Sequence, residues 1–381
     1  THGPGTMPRM QIVTKRRYGA LPSQSLRSMI RAGMLPGARE ENISPASLDL
    51  SLSGEAYRVR GTLQTLHGEL VTDVLKAVSV ERHDLSLPLL RGHTYMVRLN
   101  ESTRLPDGIY GYTNPKSSTG RLDLHVRVLV DGIPRYDTVP DGYHGPLWIS
   151  ISPKSFSVLV TEGETLTQLR LFTGDTRLSE LELKMAIEEY RLVWKGSENI
   201  PMVYKELAAR DDDGSLVLTL DLKSKCLGWV AKNTEAVLAL SKIGHYSPTD
   251  FFEPLLLDGQ FCVLKKDHFY ILSTDERIRV PPVMATEMVP MDERAGDFRS
   301  HYAGFIDPGW GWGHMGEGFG RPFTLEVRPF EDIVARHGQP IAKLRFEYIT
   351  EAPDITYDTK PSNYLEQAGP RLGKQFWVPN S

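Results

Sequence analysis

Cysteine is almost missing from this chain: Cys226 and Cys262 are the only two among 381 residues, and no CxxC spacing exists to cage a zinc ion or to seed a disulfide framework. A reducing, cytoplasmic setting is expected. No run reaches the ~18 apolar residues of a membrane span, and the N-terminal region lacks the charged-then-apolar order of a secretion signal, so no membrane partner is expected. Excess positive charge is absent as well. A net charge of −4 offers no broad attraction to the phosphates of a nucleic acid polymer, although a local basic loop can hold a small anion.

What is present is the profile of a globular protein. Hydrophobic residues make up 40% and charged residues 24%, enough apolar side chain for a full core. At roughly 100–200 residues per domain, the length favours two domains. Residues Thr1 to Thr6, reading THGPGT ahead of Met7, read as the remnant of a removed tag and are set aside.

Along the chain, PSQSLRSMIRAG after Leu21 has a cap-like Ser, helical spacing of apolar residues and then Gly33, which predicts a short helix. From Ile43 to about Asp175 the texture changes to short segments rich in Val, Leu, Tyr and Thr, among them TYMVRLN, LWISI and FSVLVTEG, punctuated by Gly, Pro, Asn and Asp. That pattern predicts a β-sandwich or barrel. Leu178 to Trp194 has the composition of a connecting helix, although its LELKM alternation also suits a strand. RDDDGSLVLTLDL then opens a second series of short strands to about Thr350, and the tail from Glu351 reads as an arm. The expected division is a first lobe over 7–175, a connector over 176–205, a second lobe over 206–350 and an arm over 351–381.

The two series are an internal repeat. His93 and His268, Pro106 and Pro281, Pro115 and Pro290, Gly163 and Gly338, Leu169 and Leu344, and Arg170 and Arg345 all stand 175 positions apart. A register held over such stretches points to duplication. Asp49-Leu50 and Asp221-Leu222 extend it at an offset of 172. His93 and His268 are read as packing or turn residues, and the aromatic set Trp310, Trp312 and Phe319 as either a cover for a ligand or packing between lobes.

In the first series, GYTNPKSSTGRLDL gathers Lys116, Ser117, Ser118 and Arg121 around Thr119 and Gly120. Small residues let backbone N–H groups approach an anion, hydroxyls donate further bonds, and Lys and Arg bring charge, which is how a loop binds phosphate. The same composition is also that of an ordinary turn.

Taken in order, the blocks SPASLDLSL, PKSSTGRLDL and TEGETLTQLRL resemble the PxSxDL, RSSxxRxGL and PGxxIxQL elements of the dUTPase and dCTP deaminase superfamily. AGFIDPGWGWG followed by FTLEVRPFE resembles the block of the deaminase branch in which IDPG(W/F)xG precedes a strand with a catalytic glutamate. The chain is thereby identified as a dCTP deaminase-like member of that superfamily in a tandem-duplicated form. The resemblance implies a mainly β fold of two tandem dUTPase-like (β-clip) distorted barrel lobes with a few short helices. It implies hydrolysis of dCTP to dUTP and ammonia for thymidylate synthesis, with Mg²⁺ arriving on the triphosphate and no zinc. A homo-oligomer is also compatible with it.

On this resemblance Glu326 is the general acid/base, and Ser117 and Arg121 stabilise charge at the attacked carbon. Lys116, Ser118, Ala303, Asp307, Tyr357, Tyr364 and Gln367 are expected to bind substrate. The HxE and PCxxC constellation of zinc deaminases does not occur, so side chains and backbone must polarise the water. Departures are visible too: Lys116 and Phe305 stand where arginines are usual, and Asn363 where a lysine often lies.

The two halves have lost complementary parts. In the 175 register Ser117 and Arg121 fall opposite Asp292 and Gly296, while aligning Pro153 with Pro329 at 176 puts Ser150 opposite Glu326. A composite site is expected, with the phosphate loop from one half and the glutamate from the other. The rival readings are a dUTP diphosphatase or bifunctional enzyme, with Asp131 orienting water, and a nucleotide-binding regulator without turnover.

Overall fold

The computed structural model describes residues 15–196, 198–207, 210–292, 296, 298–300, 304–359 and 369–377. It is mostly β, with a few short helices. In the first lobe the main strands are β1 (Ser47–Val59), β2 (Thr94–Arg104), β3 (Tyr110–Pro115), β4 (Leu124–Val130), β5 (His144–Pro153) and β6 (Thr165–Thr173). They pair antiparallel in the order β4-β5-β2-β1-β6-β3. The second lobe repeats the plan with β7 (Ser215–Thr219), β8 (Tyr270–Ile278), β9 (Met284–Val289), β10 (Phe298–Ser300), β11 (Arg321–Pro329) and β12 (Pro340–Tyr348). Here β7-β12-β9 and β8-β11-β10 belong to separate sheets.

Alternation explains the strands. In β2, Tyr95, Val97 and Leu99 enter the main core, while Met96 turns to a second cluster with Trp148, as period-2 geometry requires. Helix α1 (Ser23–Arg31) buries Leu26 and Met29, but its N-cap is Pro22, and Ser23 is already helical. The Ser23 hydroxyl is bonded to Asp354 beyond the second lobe, so the expected serine cap serves a tertiary contact. Helix α2 spans Val71–Ala77 and α3 Ser117–Gly120. Helix α4 (Glu180–Tyr190) begins in a capping box of Ser179 and Glu182, which satisfies N-terminal N–H groups. It is a helix throughout, and the strand of this region is the short Val193–Lys195.

The repeat is visible in the ladders. The β2–β5 register shifts between Arg98 and Ser102, and the β8–β11 register between Ser273 and Arg277, again 175 apart. At each shift a buried glutamate takes a backbone N–H and a hydroxyl of the neighbouring strand. Glu101 holds Ser51 with both bonds at 2.8 Å, and Glu276 holds Thr219 in the same way at 2.8 Å. Because Ser51 matches Thr219, the β1 and β7 offset is 168 rather than 172. Leu50 faces Thr167 as Leu218 faces Ala342. Asp49-Leu50 and Asp221-Leu222 are therefore not equivalent, because the loops before β2 and β8 differ in length.

Two large cores form, but they do not follow the linear division. Leu178, Leu183, Ile187, Leu192 and Tyr204, from the segment expected to connect lobes, lie in the second core. Leu238, Phe251, Phe252, Leu372 and Phe376 lie in the first, where Ser157–Leu159 also pairs in parallel with Val237–Ala239. The halves are thus interlocked by buried apolar surface. Among the described residues no helix is long and apolar enough to cross a membrane.

Candidate active site

The phosphate-loop sequence forms one tight turn of helix after β3. Thr119 and Gly120 donate their N–H groups to the Lys116 carbonyl at 2.9 and 3.0 Å, and Arg121 donates to Ser117 at 3.0 Å. The Thr119 hydroxyl bonds the Leu166 carbonyl at 2.9 Å, tying the turn to β6. Ser117 and Ser118 remain half-buried, whereas Arg121 is buried. The Lys116 ammonium is paired with Asp49 and donates to Thr165 Oγ1 at 2.8 Å. Asp49 comes from SPASLDLSL and Thr165 from TEGETLTQLRL, so three separated blocks converge here.

Glu326 lies on β11, opposite Ile271, and is buried. Ser150 lies on β5 opposite Met96, and Met96 and Ile271 stand 175 apart, so the ladders put Ser150 and Glu326 in equivalent places. Side chains two apart on a strand share a face, which groups Thr324, Glu326 and Arg328. Arg328 pairs with Asp123 of the turn after α3 and reaches Ser155 Oγ at 3.3 Å. Thr324 accepts the Arg371 N–H at 3.3 Å and donates to the Gly369 carbonyl at 3.2 Å. The glutamate strand of the second lobe is therefore docked, within one chain, beside the loop that carries Arg121.

Asp307 sits at the start of the Gly-rich turn and is held by a first-lobe residue. Arg170, wholly buried on β6, bonds Asp307 Oδ1 at 3.2 Å, the Thr286 carbonyl at 2.9 Å and the Ile306 carbonyl at 3.3 Å. Its guanidinium lies 4.2 Å from the centre of the Phe305 ring, a cation–π arrangement. An arginine thus does reach this spot, from the other lobe rather than from position 305. Trp310 stacks on Phe323 at 5.8 Å and meets the Tyr357 ring at 4.8 Å, Trp312 covers Arg279, and Phe319 packs on Trp194 at 5.1 Å. These aromatics pack within the second lobe. Tyr357 also donates its N–H to the Pro308 carbonyl at 2.8 Å, which places it against the turn of Asp307.

Ala303, Tyr364 and Gln367 lie outside the described residues. Gly304, next to Ala303, donates its N–H to Asn114 of β3, and a Cβ there would come within 2.9 Å of Asn114 Nδ2 and 3.0 Å of the Met288 carbonyl. A side chain there would therefore crowd both groups. A cavity of about 580 Å³ opens on the Pro115 side, lined by residues that include Tyr112, Asn114, Arg127, Asp137, Glu287 and Met288. It borders the loop but is lined by none of Lys116, Ser117, Arg121 or Glu326.

Two further residues bear on the chemistry. Lys374 was not read from the sequence, because nothing in GKQFWVPN says where the tail returns. Gly373 packs near Leu122, and burial, with repulsion from Lys116, pushes the Lys374 ammonium below the usual lysine range. The tail thus brings a second amine towards Lys116. Asp131, in contrast, accepts the Val71 N–H at the start of α2 at 2.8 Å through one of its two oxygens.

The donors around α3 are amines, a guanidinium and hydroxyls, a set that fits phosphate oxygens and not a resident cation. Among the described residues, the metal-ligand cluster Asp221, Asp275 and His337 lies in the second lobe. There Asp221 already accepts N–H groups of Lys223 and Ser224.

Residues 17–175 match the family described as 2'-deoxycytidine 5'-triphosphate deaminase (DCD) N-terminal domain, and residues 185–376 match its C-terminal domain. No curated protein matches the chain. Among solved structures, the chain is similar to a 2'-deoxycytidine 5'-triphosphate deaminase from Agrobacterium tumefaciens, with 36% identity and a TM-score of 0.79 over 89% of this chain and 100% of the other. With both halves matched in order and the whole of a solved relative covered, the chain belongs to the 2'-deoxycytidine 5'-triphosphate deaminase family.

Proposed function

We propose that this protein hydrolyses dCTP to dUTP and ammonia at a composite site, with the phosphate loop of the first lobe facing the glutamate strand of the second. The observation that carries this reading is the Arg328–Asp123 pair, which ties the strand of Glu326 to the turn after α3, with Thr324 on the same face bonded to the tail at Gly369 and Arg371. Deamination needs water added at C4 of cytosine, a proton delivered to N3, and a proton given to the departing amine. Glu326 takes one proton from water and passes it to N3, then takes the second from the hydroxyl now on C4 and delivers it to the amino group, which leaves as ammonia as the C4 carbonyl forms. Ser117 and Arg121 stabilise charge developing around C4, where preorganised donors in a dry site count most.

Lys116, Ser118 and Lys374 bind the triphosphate, whose Mg²⁺ offsets part of its charge. The Asp49 pairing of Lys116 keeps that amine in place before phosphate arrives. Ala303, Tyr364 and Gln367 complete the water and nucleotide contacts in this reading, Asp307 and Tyr357 hold the sugar end through the Gly-rich turn, and the protein is an enzyme of the soluble nucleotide pool.

Incubation with dCTP or dUTP and Mg²⁺, with ammonia and pyrophosphate measured separately, tests the reading. Ammonia from dCTP without pyrophosphate is expected. Pyrophosphate from dUTP would make the enzyme bifunctional, and binding without either product would make the protein a regulator.

A further inference from the structure

Asp123 departs from the RxGL pattern, in which glycine follows the arginine by two. Its backbone is left-handed, with φ of 54°, a conformation that glycine adopts freely and that Asp tolerates better than most residues. Here the fold has gained something from the side chain. The carboxylate is fully buried, accepts the Ser155 hydroxyl at 2.6 Å and pairs with Arg328 from the second lobe. Arg328 also donates to the Asp267 carbonyl, so its guanidinium spans the seam between lobes. A buried charge pair is kept in place by such extra hydrogen bonds.

The pair has a particular position. Asp123 lies two residues after Arg121, and Arg328 two residues after Glu326 on the same strand face. We propose that Asp123 and Arg328 form a clamp that positions Glu326 against Arg121, so that they act on the deamination as positioning residues without touching substrate. This rests on the composite-site reading above. Its consequence is a separation of effects: the clamp sets the geometry of proton transfer, while dCTP is gripped elsewhere, by Lys116, Ser118 and the tail.

The test uses the full chain with Asp123→Gly, Asp123→Asn, Arg328→Gln, Arg328→Lys and the Asp123→Gly/Arg328→Gln double variant, and measures kcat, KM for dCTP and the thermal midpoint. Asp123→Gly removes the carboxylate while suiting the left-handed backbone, so a merely structural pair would lower the thermal midpoint and leave kcat of the folded protein unchanged. The expected result is a kcat lower by roughly 10–100-fold, as small misplacements of reacting groups cause, with KM within about threefold. Arg328→Gln should match it, the double variant should be no worse than either single one, and Arg328→Lys should recover much of the loss. If Asp123→Gly destabilises the fold, the isosteric Asp123→Asn carries the same expectation. Unchanged kcat in folded variants, losses that multiply in the double variant, or an effect on KM alone would overturn the clamp. Glu326→Gln run in parallel separates the two readings: an inactive Glu326→Gln with wild-type clamp variants sinks only the clamp, whereas an active Glu326→Gln sinks the composite site itself.

Discussion

The two lobes are built on one ladder plan and hold different parts of the proposed site. Both have the shifted strand pair, the buried glutamate that fills it, and equivalent places for Ser150 and Glu326. The first keeps the turn of Lys116, Ser117 and Arg121, and the second keeps the carboxylate. A site that takes its loop from one lobe and its strand from the other needs each part only once. Duplication within one chain therefore frees each copy to lose what its neighbour supplies. The seam joins them, and there Arg170, Asp307 and Asp123 are buried and Arg328 is half-buried.

The strongest way to break this comparison is to remove one contribution from each lobe. Glu326→Gln keeps the size of the side chain but not its proton shuttle, and Arg121→Ala removes the buried guanidinium. Each should lower dCTP turnover by roughly 10²–10⁴-fold. Mixing Arg121→Ala with Glu326→Ala under conditions of subunit exchange should restore nothing, because Asp123 and Arg328 join loop and strand within one chain. Recovered activity would mean that sites form between chains.

Much of this was legible in the sequence because it depends on local pattern. The 175 register fixes β3 against β9 and β6 against β12, and alternation gives most strands. Contacts between distant segments were not legible. The 172 offset failed at β1 and β7 because an offset read from a dipeptide cannot see loop length, while the ladder can. Asp123 and Arg328 stand 205 positions apart and share no motif, and Lys374 gains its meaning only where the tail folds back. Arg170 read simply as half of a repeat pair, yet its lobe-spanning bonds distinguish it from Arg345, which is partly exposed beside Asp213.

A difference in charge at the seam gives the next prediction. Glu347 stands where the first lobe has Phe172, and burial raises its carboxyl from the ordinary 4.5 to about 7, against the opposing pull of Arg170 3.6 Å away. The folded state thus holds this proton more tightly than the unfolded one. Its contribution is complete below about 4.5 and is lost as pH rises through about 7, by an amount on the order of 3 kcal/mol at most. Glu347→Gln removes that loss. Thermal midpoints should be similar for variant and parent near pH 4.5 and higher for the variant at pH 8. A midpoint difference that does not change with pH would place the ionisation elsewhere.

The smallest expected effect is at Ser150, the counterpart of Glu326, and it is the one on which the division of labour turns. Ser150 is buried in β5 between β2 and β4, facing Met96 and Arg127. Removing its hydroxyl changes packing little, and losing one neutral hydrogen-bonding group costs about 1 kcal/mol. Ser150→Ala should therefore shift the thermal midpoint by a few degrees at most and leave kcat and KM for dCTP unchanged. The reciprocal substitution sharpens the point: Ser150→Glu places a carboxylate at the same ladder position, but with Asp292 and Gly296 in place of a phosphate turn it should create no second activity, and a Glu326→Gln background carrying it should remain inactive. If Ser150→Ala abolished turnover in a protein that still folds, the first lobe would hold chemistry of its own, and the two lobes would have to be read as two sites instead of two halves of one.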